Sequence, residues 1–221
     1  FRDSGKLPVP ETSPVEAILK SMPLEEKIGQ MLVVGFFGRE LSAETARWMR
    51  DCAVGSVVLL GYNVGSREQT LALTGQLRGV SSFASGLPVM IAADQEGGAA
   101  SRFRFEGMET VLPQRKIRDR NEAYRIAVRR GKELRKLGID INFSPVLDLP
   151  VFAGDYIYLR AFRGNEKLAG ELGAAMLRGY SQAGVVSAIK HFPGHGGTAQ
   201  NSHAGLPLIH RGKSAWDKNV Y

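Results

Sequence analysis

Residues 190–207 read KHFPGHGGTAQNSHAGLP, which places Lys190, His191, His195 and His203 among prolines and glycines. Imidazoles move protons near neutral pH, and the neighbouring amine adds a hydrogen-bond donor. Pro193 removes a backbone donor and Gly194, Gly196 and Gly197 loosen the chain, so the segment cannot be helical. The apolar, β-rich run over residues 184–189 leads straight into it. The pattern predicts a buried strand that ends by delivering Lys190 and His191 to an irregular loop, the way a rigid scaffold presents reactive groups.

A second polar cluster, Asp94-Gln95-Glu96-Gly97-Gly98, follows another apolar run. Alternation along an extended backbone puts Asp94 and Glu96 on one side. Two readings stand side by side. The carboxylates accept two hydroxyls of a ligand such as a sugar, or they form a solvated loop with an ion pair to Arg102 or Arg104. Arg160, in YLRAFRG after a loop holding Asp148, is either a hydrogen-bond fork for a polar ligand or a surface arginine. His203, near Asn201, is either a general acid and base or an exposed surface histidine. A loop zinc site at His191, His195 and His203 is a third chemistry. The helical His-x-x-x-His arrangement it would normally use is broken by Pro193-Gly194 and lacks its acidic partner.

These groups must be carried by something regular. Apolar runs at residues 30–37, 56–60, 88–93, 139–143 and 185–189 read as buried strands. Amphipathic stretches at 14–22, 24–29, 42–52, 66–81, 121–137 and 165–183 read as helices, the first started by Ser13-Pro14 and the third capped by Ser42. Strands apolar on both faces that alternate with helices imply parallel βαβ units. Asn63, Asp94 to Glu96, Asp148, and Lys190 with His191 all sit just past strand ends. That placement favours a (β/α)8 TIM-type barrel, in which such ends share one face, over a doubly wound sheet. No glycine fingerprint for a dinucleotide or a nucleoside triphosphate opens any helix. A closed barrel needs eight strands and typically about 250 residues. The expectation is therefore the amino-terminal portion of a barrel, about five strands, in a partial chain: residues 1–13 an arm or linker, residues 14–221 the barrel domain.

The chain has 221 residues, is 43% apolar, and carries a formal charge of +7. Its basic residues are densest at 115–120 and 125–136 and are not interleaved with aromatics, so the pattern does not read as a nucleic-acid surface. The one cysteine, Cys52, excludes an internal disulfide and reads as core filler at a helix end. No apolar run approaches a membrane span. The chain starts at Phe1 rather than Met, which reads as a trimmed amino terminus.

Five ordered motifs, EEKIGQMLVVGF, ADQEGGAASRF, GIDINFSPVLDL, LRAFRGN and KHFPGHGGTAQNSHAGLP, span about residues 24–207. Together they resemble glycoside hydrolase family 3, in particular its bacterial β-N-acetylglucosaminidase branch. The resemblance implies a (β/α)8-type barrel that removes terminal β-linked GlcNAc with retention, from peptidoglycan fragments or chitooligosaccharides, in bacterial cytoplasm or periplasm. It implies a carbohydrate partner and no cofactor, metal or nucleic acid. By motif, Asp94, Arg102, Arg160, Lys190 and His191 would hold the sugar and His203 would be the acid and base. An Asp nucleophile would lie beyond residue 221. Two positions depart from the family pattern: Asn201 stands where an Asp usually orients the histidine, and Gly197 replaces the Asp of GHGD. An amide fixes geometry without stabilising imidazolium, so a catalytically weakened, sugar-binding relative is the second implied reading. The glycine-rich loop over residues 194–205 is expected to swing His203 in when substrate binds.

Overall fold

The computed structural model describes residues 13–80, 86–108 and 112–209. The expected arm lies outside the described residues, except Ser13. Ser13 is the N-cap of helix α1 (Pro14–Ser21): its hydroxyl accepts from Glu16 N, and the Glu16 carboxylate accepts from Ser13 N. Helix α2 (Leu24–Gln30) follows, then strand β1 (Val33–Val34), helix α3 (Ala43–Asp51), strand β2 (Ser56–Leu59) and helix α4 (Arg67–Arg78). Strand β3 (Met90–Ala93) runs into a small hairpin, β4 (Gln95–Gly97) and β5 (Ala100–Ser101). Helix α5 (Arg120–Lys136), strand β6 (Ile141–Asn142), helix α6 (Glu166–Gln182) and strand β7 (Val186–Ser187) complete the order. Ser42, Ser66, Asp119 and Asn165 each accept from a first-turn N–H of α3, α4, α5 and α6, so the helix starts are written locally.

β1, β2, β3, β6 and β7 form one parallel sheet in that order, with the β4–β5 hairpin apart from it. The order follows the chain without reversing. A doubly wound sheet reverses at a switch point, whereas a barrel wall advances in one direction. An isolated bridge from Val146 to Lys190 carries the β6–β7 pairing onward to the site.

Register separates the two faces of the sheet. Val34, Val57, Leu59, Ile91 and Ala93 pack into the main hydrophobic core with residues of α3, α4, α5 and α6. Val33, paired with Ser56 and through it with Met90, lies on the opposite face, as does Val186, paired through Ile141 with Ala92. There Val33, Met90 and Val186 are exposed. The expectation of strands buried on both faces is corrected here. One face is covered by helices, and the other is the face that lines the interior in a (β/α)8 barrel. The first predicted strand is corrected most. Gln30 ends a helix, only Val33–Val34 pairs, and Met31, Leu32 and Phe37 are exposed; among the described residues β1 has a neighbouring strand on one side only. The β4–β5 hairpin was not expected. Cys52 is exposed rather than core, since α3 stops at Asp51 and Met49, a turn earlier, fills the core position. Among the described residues no helix is long and apolar enough to cross a membrane.

α5 and α6 lie side by side, and Gly179 makes this approach possible. A Cβ there would sit 2.6 Å from Tyr124 O and 2.7 Å from the Ala127 Cβ. Gly170 on the same helix faces open space. Gly179→Ala is therefore expected to destabilise the protein by about 1–3 kcal/mol through overpacking. Gly170→Ala is expected to stabilise it by about 0.5–1 kcal/mol through helix propensity. Denaturant melts of the two variants check both signs.

Candidate active site

Asp94 is the first residue past β3, and the chain turns there into the hairpin. Gln95 points away from its neighbours and is wholly buried. Its amide nitrogen donates to Phe103 O (2.9 Å), and its oxygen accepts from Arg102 N (2.9 Å) and Phe103 N (3.1 Å). Its backbone is clamped to the Asn142 side chain on β6. One side chain thus fixes where Arg102 leaves the hairpin, while the alternation sends Asp94 and Glu96 the other way.

The two carboxylates meet Lys190, which lies beyond β7 on the extended segment bridged to Val146. Lys190 Nζ donates to Asp94 Oδ1 and stands 2.6 Å from both that atom and Glu96 Oε1. Arg160 adds a two-pronged contact to Glu96, Nε to Oε2 and Nη2 to Oε1, each 2.8 Å. Arg102 Nη2 donates to Asp94 Oδ2 at 3.2 Å. Glu96 is 2% exposed in its side chain, while Asp94, Lys190, Arg160 and Arg102 range from 16% to 32%. Glu96 is therefore the buried counter-ion, and the others form a polar rim that still reaches solvent.

His191 joins the rim from the side. The Lys190–His191 peptide is cis. His191 Nδ1 lies 2.5 Å from Asp148 Oδ2, which also accepts from His191 N, and Asp148 Oδ1 accepts from His195 N at 2.6 Å. A carboxylate only accepts, so Nδ1 carries the proton and Nε2 is left facing Arg160 Nη2 at 3.5 Å. A second buried carboxylate, Asp155, accepts from Val151 N, Ile157 N and Gly197 N and holds the next stretch of the loop.

Five expected ligand-binding residues, Asp94, Arg102, Arg160, Lys190 and His191, are thus brought into one cluster. His203 and Asn201 are not joined to it. Both are exposed, and Asn201 Oδ1 accepts from the His203 backbone N–H at 2.9 Å, closing a turn. Among the described residues no hydrogen bond or ion pair links either to the cluster. Glu96 was half-legible, through its two-residue spacing from Asp94. Asp155 gave no signal, because its partners are backbone N–H groups, which every residue type carries. Among the described residues no group of three or more His, Cys, Asp or Glu side chains is arranged to hold a metal.

The cluster shifts its own titration. Burial works to raise the Asp94 carboxyl, but the Lys190 ammonium, as charge and as donor, and then Arg102 outweigh it, so its pKa lies below the ordinary 3.8. Hydrogen bonds from Arg160 to Glu96 raise the guanidinium pKa against the opposing effect of burial.

Residues 23–219 match the family described as glycosyl hydrolase family 3 N terminal domain. A beta-hexosaminidase of Methylobacillus flagellatus is 36% identical over 189 residues, 81% of this chain and 53% of that protein. One from Bordetella pertussis is 34% identical over 186 residues, 80% and 52% respectively. Among solved structures, a glycoside hydrolase family 3 beta-N-acetylglucosaminidase from Paenibacillus sp. superposes with a TM-score of 0.80 at 33% identity, covering 90% of this chain and 38% of that one. NagZ from Neisseria gonorrhoeae, in complex with N-trifluoroacetyl-D-glucosamine, superposes with a TM-score of 0.74 at 28% identity, covering 86% and 57%. The chain spans about half the length of the curated relatives it matches.

A carboxylate with a depressed folded-state pKa contributes stability above its unfolded pKa and loses it as pH falls through the folded value. The Asp94 contribution is therefore complete at neutral pH and disappears only below the ordinary aspartate range. Its carboxyl-carbon NMR titration is expected to have a midpoint under 3.8, and Asp94→Asn to flatten the acid limb of the stability curve. Glu96→Leu strips the buried counter-ion from two cations and is expected to cost on the order of 3–5 kcal/mol in a denaturant melt.

Proposed function

Since the chain belongs to glycosyl hydrolase family 3, we propose that the protein hydrolyses terminal, non-reducing β-linked N-acetylglucosamine, in peptidoglycan fragments or chitooligosaccharides, by a retaining double displacement. The reading rests chiefly on the rim at the carboxyl ends of the strands, where Asp94 shares Lys190 with buried Glu96. The relatives named beta-hexosaminidase and the solved relative that holds an N-acylated glucosamine support the choice of sugar.

In this proposal Asp94 accepts from sugar hydroxyls while Arg102, Arg160 and Lys190 donate to them. His191, with its proton held on the Asp148 side, offers Nε2 as an acceptor. An Asp from beyond residue 221 attacks the anomeric carbon, and the glycosidic bond breaks as the covalent glycosyl-enzyme forms. His203 gives its proton to the departing oxygen. It then takes a proton from the water that releases the sugar. For this the loop bearing His203 must close over the rim, an expected substrate-driven step. The Asn201 amide orients that loop but adds no charge to favour imidazolium.

The second reading, sugar binding with weak or no turnover, is favoured by one observation: the Asn201 oxygen is engaged by the His203 backbone rather than assigned to its ring. Hydrolysis of 4-nitrophenyl N-acetyl-β-D-glucosaminide by the complete gene product separates the two. Turnover is expected, with His203→Ala lowering kcat about 10²- to 10⁴-fold and leaving GlcNAc affinity in place. Asn201→Asp is expected to raise kcat. GlcNAc binding without turnover selects the second reading, and neither binding nor turnover removes both.

A further inference from the structure

We propose that Arg130, on the helix side of the sheet, is a positioning residue for the sugar rim: it grips the Glu96 carbonyl and so sets where the Glu96 carboxylate stands. The proposal rests on the sugar-binding reading above.

Arg130 lies in α5 and is wholly buried, the largest fully buried side chain among the described residues. An arginine stays charged in a protein interior, and a charge taken out of water is costly unless its hydrogen bonds offset the loss. Its Nη1 donates to Glu96 O at 2.8 Å and to the Tyr180 hydroxyl at 3.3 Å. Its Nε and Nη2 have no hydrogen-bond partner among the described residues. The guanidinium is thus braced by α6 and aimed at a single backbone oxygen, the one belonging to the residue that anchors the rim.

The hairpin is shaped to admit it. Gly97 has φ of +99°, and a Cβ there would lie 2.7 Å from Arg130 Nη2 and 2.3 Å from Leu112 O. Only glycine lets the strand come down onto the guanidinium in this conformation. Three cations therefore converge on Glu96, Arg130 on its carbonyl and Arg160 and Lys190 on its carboxylate. The first orients the peptide, and the other two read that orientation.

A role limited to stability predicts something different. Arg130→Met takes a donor from the buried Glu96 carbonyl and Tyr180 hydroxyl, which costs stability in either case. A purely structural role should then lower melting and leave the affinity of the folded variant unharmed. Positioning predicts that the folded variant also binds more weakly.

The test is an NMR titration of N-acetylglucosamine into the native chain, Arg130→Met and Tyr180→Phe. Thermal melts and the 15N-resolved Arg160 Nε–H signal are recorded beside it. The Met variant is expected, at temperatures where its melt shows it folded, to bind GlcNAc about 5- to 10-fold more weakly. Its Arg160 Nε–H signal is expected to move toward the solvent-exposed position as the two-pronged contact loosens. A folded Met variant with native affinity and an unmoved Arg160 signal overturns the proposal. If that variant does not fold, Tyr180→Phe decides, since it removes only the bracing hydroxyl. A loss of about 2- to 3-fold in affinity is expected, and native affinity overturns it. If the native chain takes up no GlcNAc, the sugar-binding reading fails by itself. The Arg160 signal still decides on Arg130: movement in the variant supports it, and no movement overturns it.

Discussion

The site depends on one carboxylate that is almost wholly removed from water. Glu96, buried at the foot of the rim, is tied to Arg160, 64 positions later, and to Lys190, 94 positions later. In a low-dielectric setting a charge of this kind must be matched closely or it destabilises the fold. Matching it forces the ends of β3, the loop before α6 and the segment after β7 into one place. Asp94 then shares Lys190 with Glu96, and its own pKa falls as a consequence. The polar cup is therefore not an ornament on the sheet. It is the arrangement in which the strand ends can approach at all.

A further set of groups that point away from the rim holds the geometry. Gln95 fixes the exit of Arg102, and Gln114 bonds both backbone groups of Val146, from which Asp148 follows two residues later. Asp148 accepts from the backbone N–H groups of His191 and His195, and Asp155 from that of Gly197, so between them they hold the loop at three points. Gly196 completes the fit, since a Cβ there would fall 2.1 Å from Leu149 O. The loop is thus divided. Its first part is pinned by buried carboxylates, while the turn carrying Asn201 and His203 is exposed. The proposed binding groups are fixed in advance, and the proposed proton carrier is the part left able to approach.

Much of the fold was legible because its signals are short-ranged. Ser42 caps the helix it was expected to cap, and all five strands of the parallel sheet lie within the apolar runs that announced them. Residues 30–37 have the hydropathy of a buried strand, but whether an apolar strand is buried depends on its neighbours, and among the described residues β1 pairs on one side only. Cys52 went wrong because a single step past the helix end decides which way a side chain faces.

The sequence by itself determined the alternation of strand and helix, the capping residues, and the residue types gathered at strand ends, since each follows from the chemistry of a few adjacent positions. It also carried the family likeness, through ordered motifs rather than through any contact. Only the tertiary structure decided which groups are spent inward and which face out: Glu96 as the buried counter-ion, Asp148 and Asp155 as holders of the loop, Arg130 behind the hairpin. Burial and ion pairing depend on distance in space, and the residues concerned lie from tens to nearly a hundred positions apart.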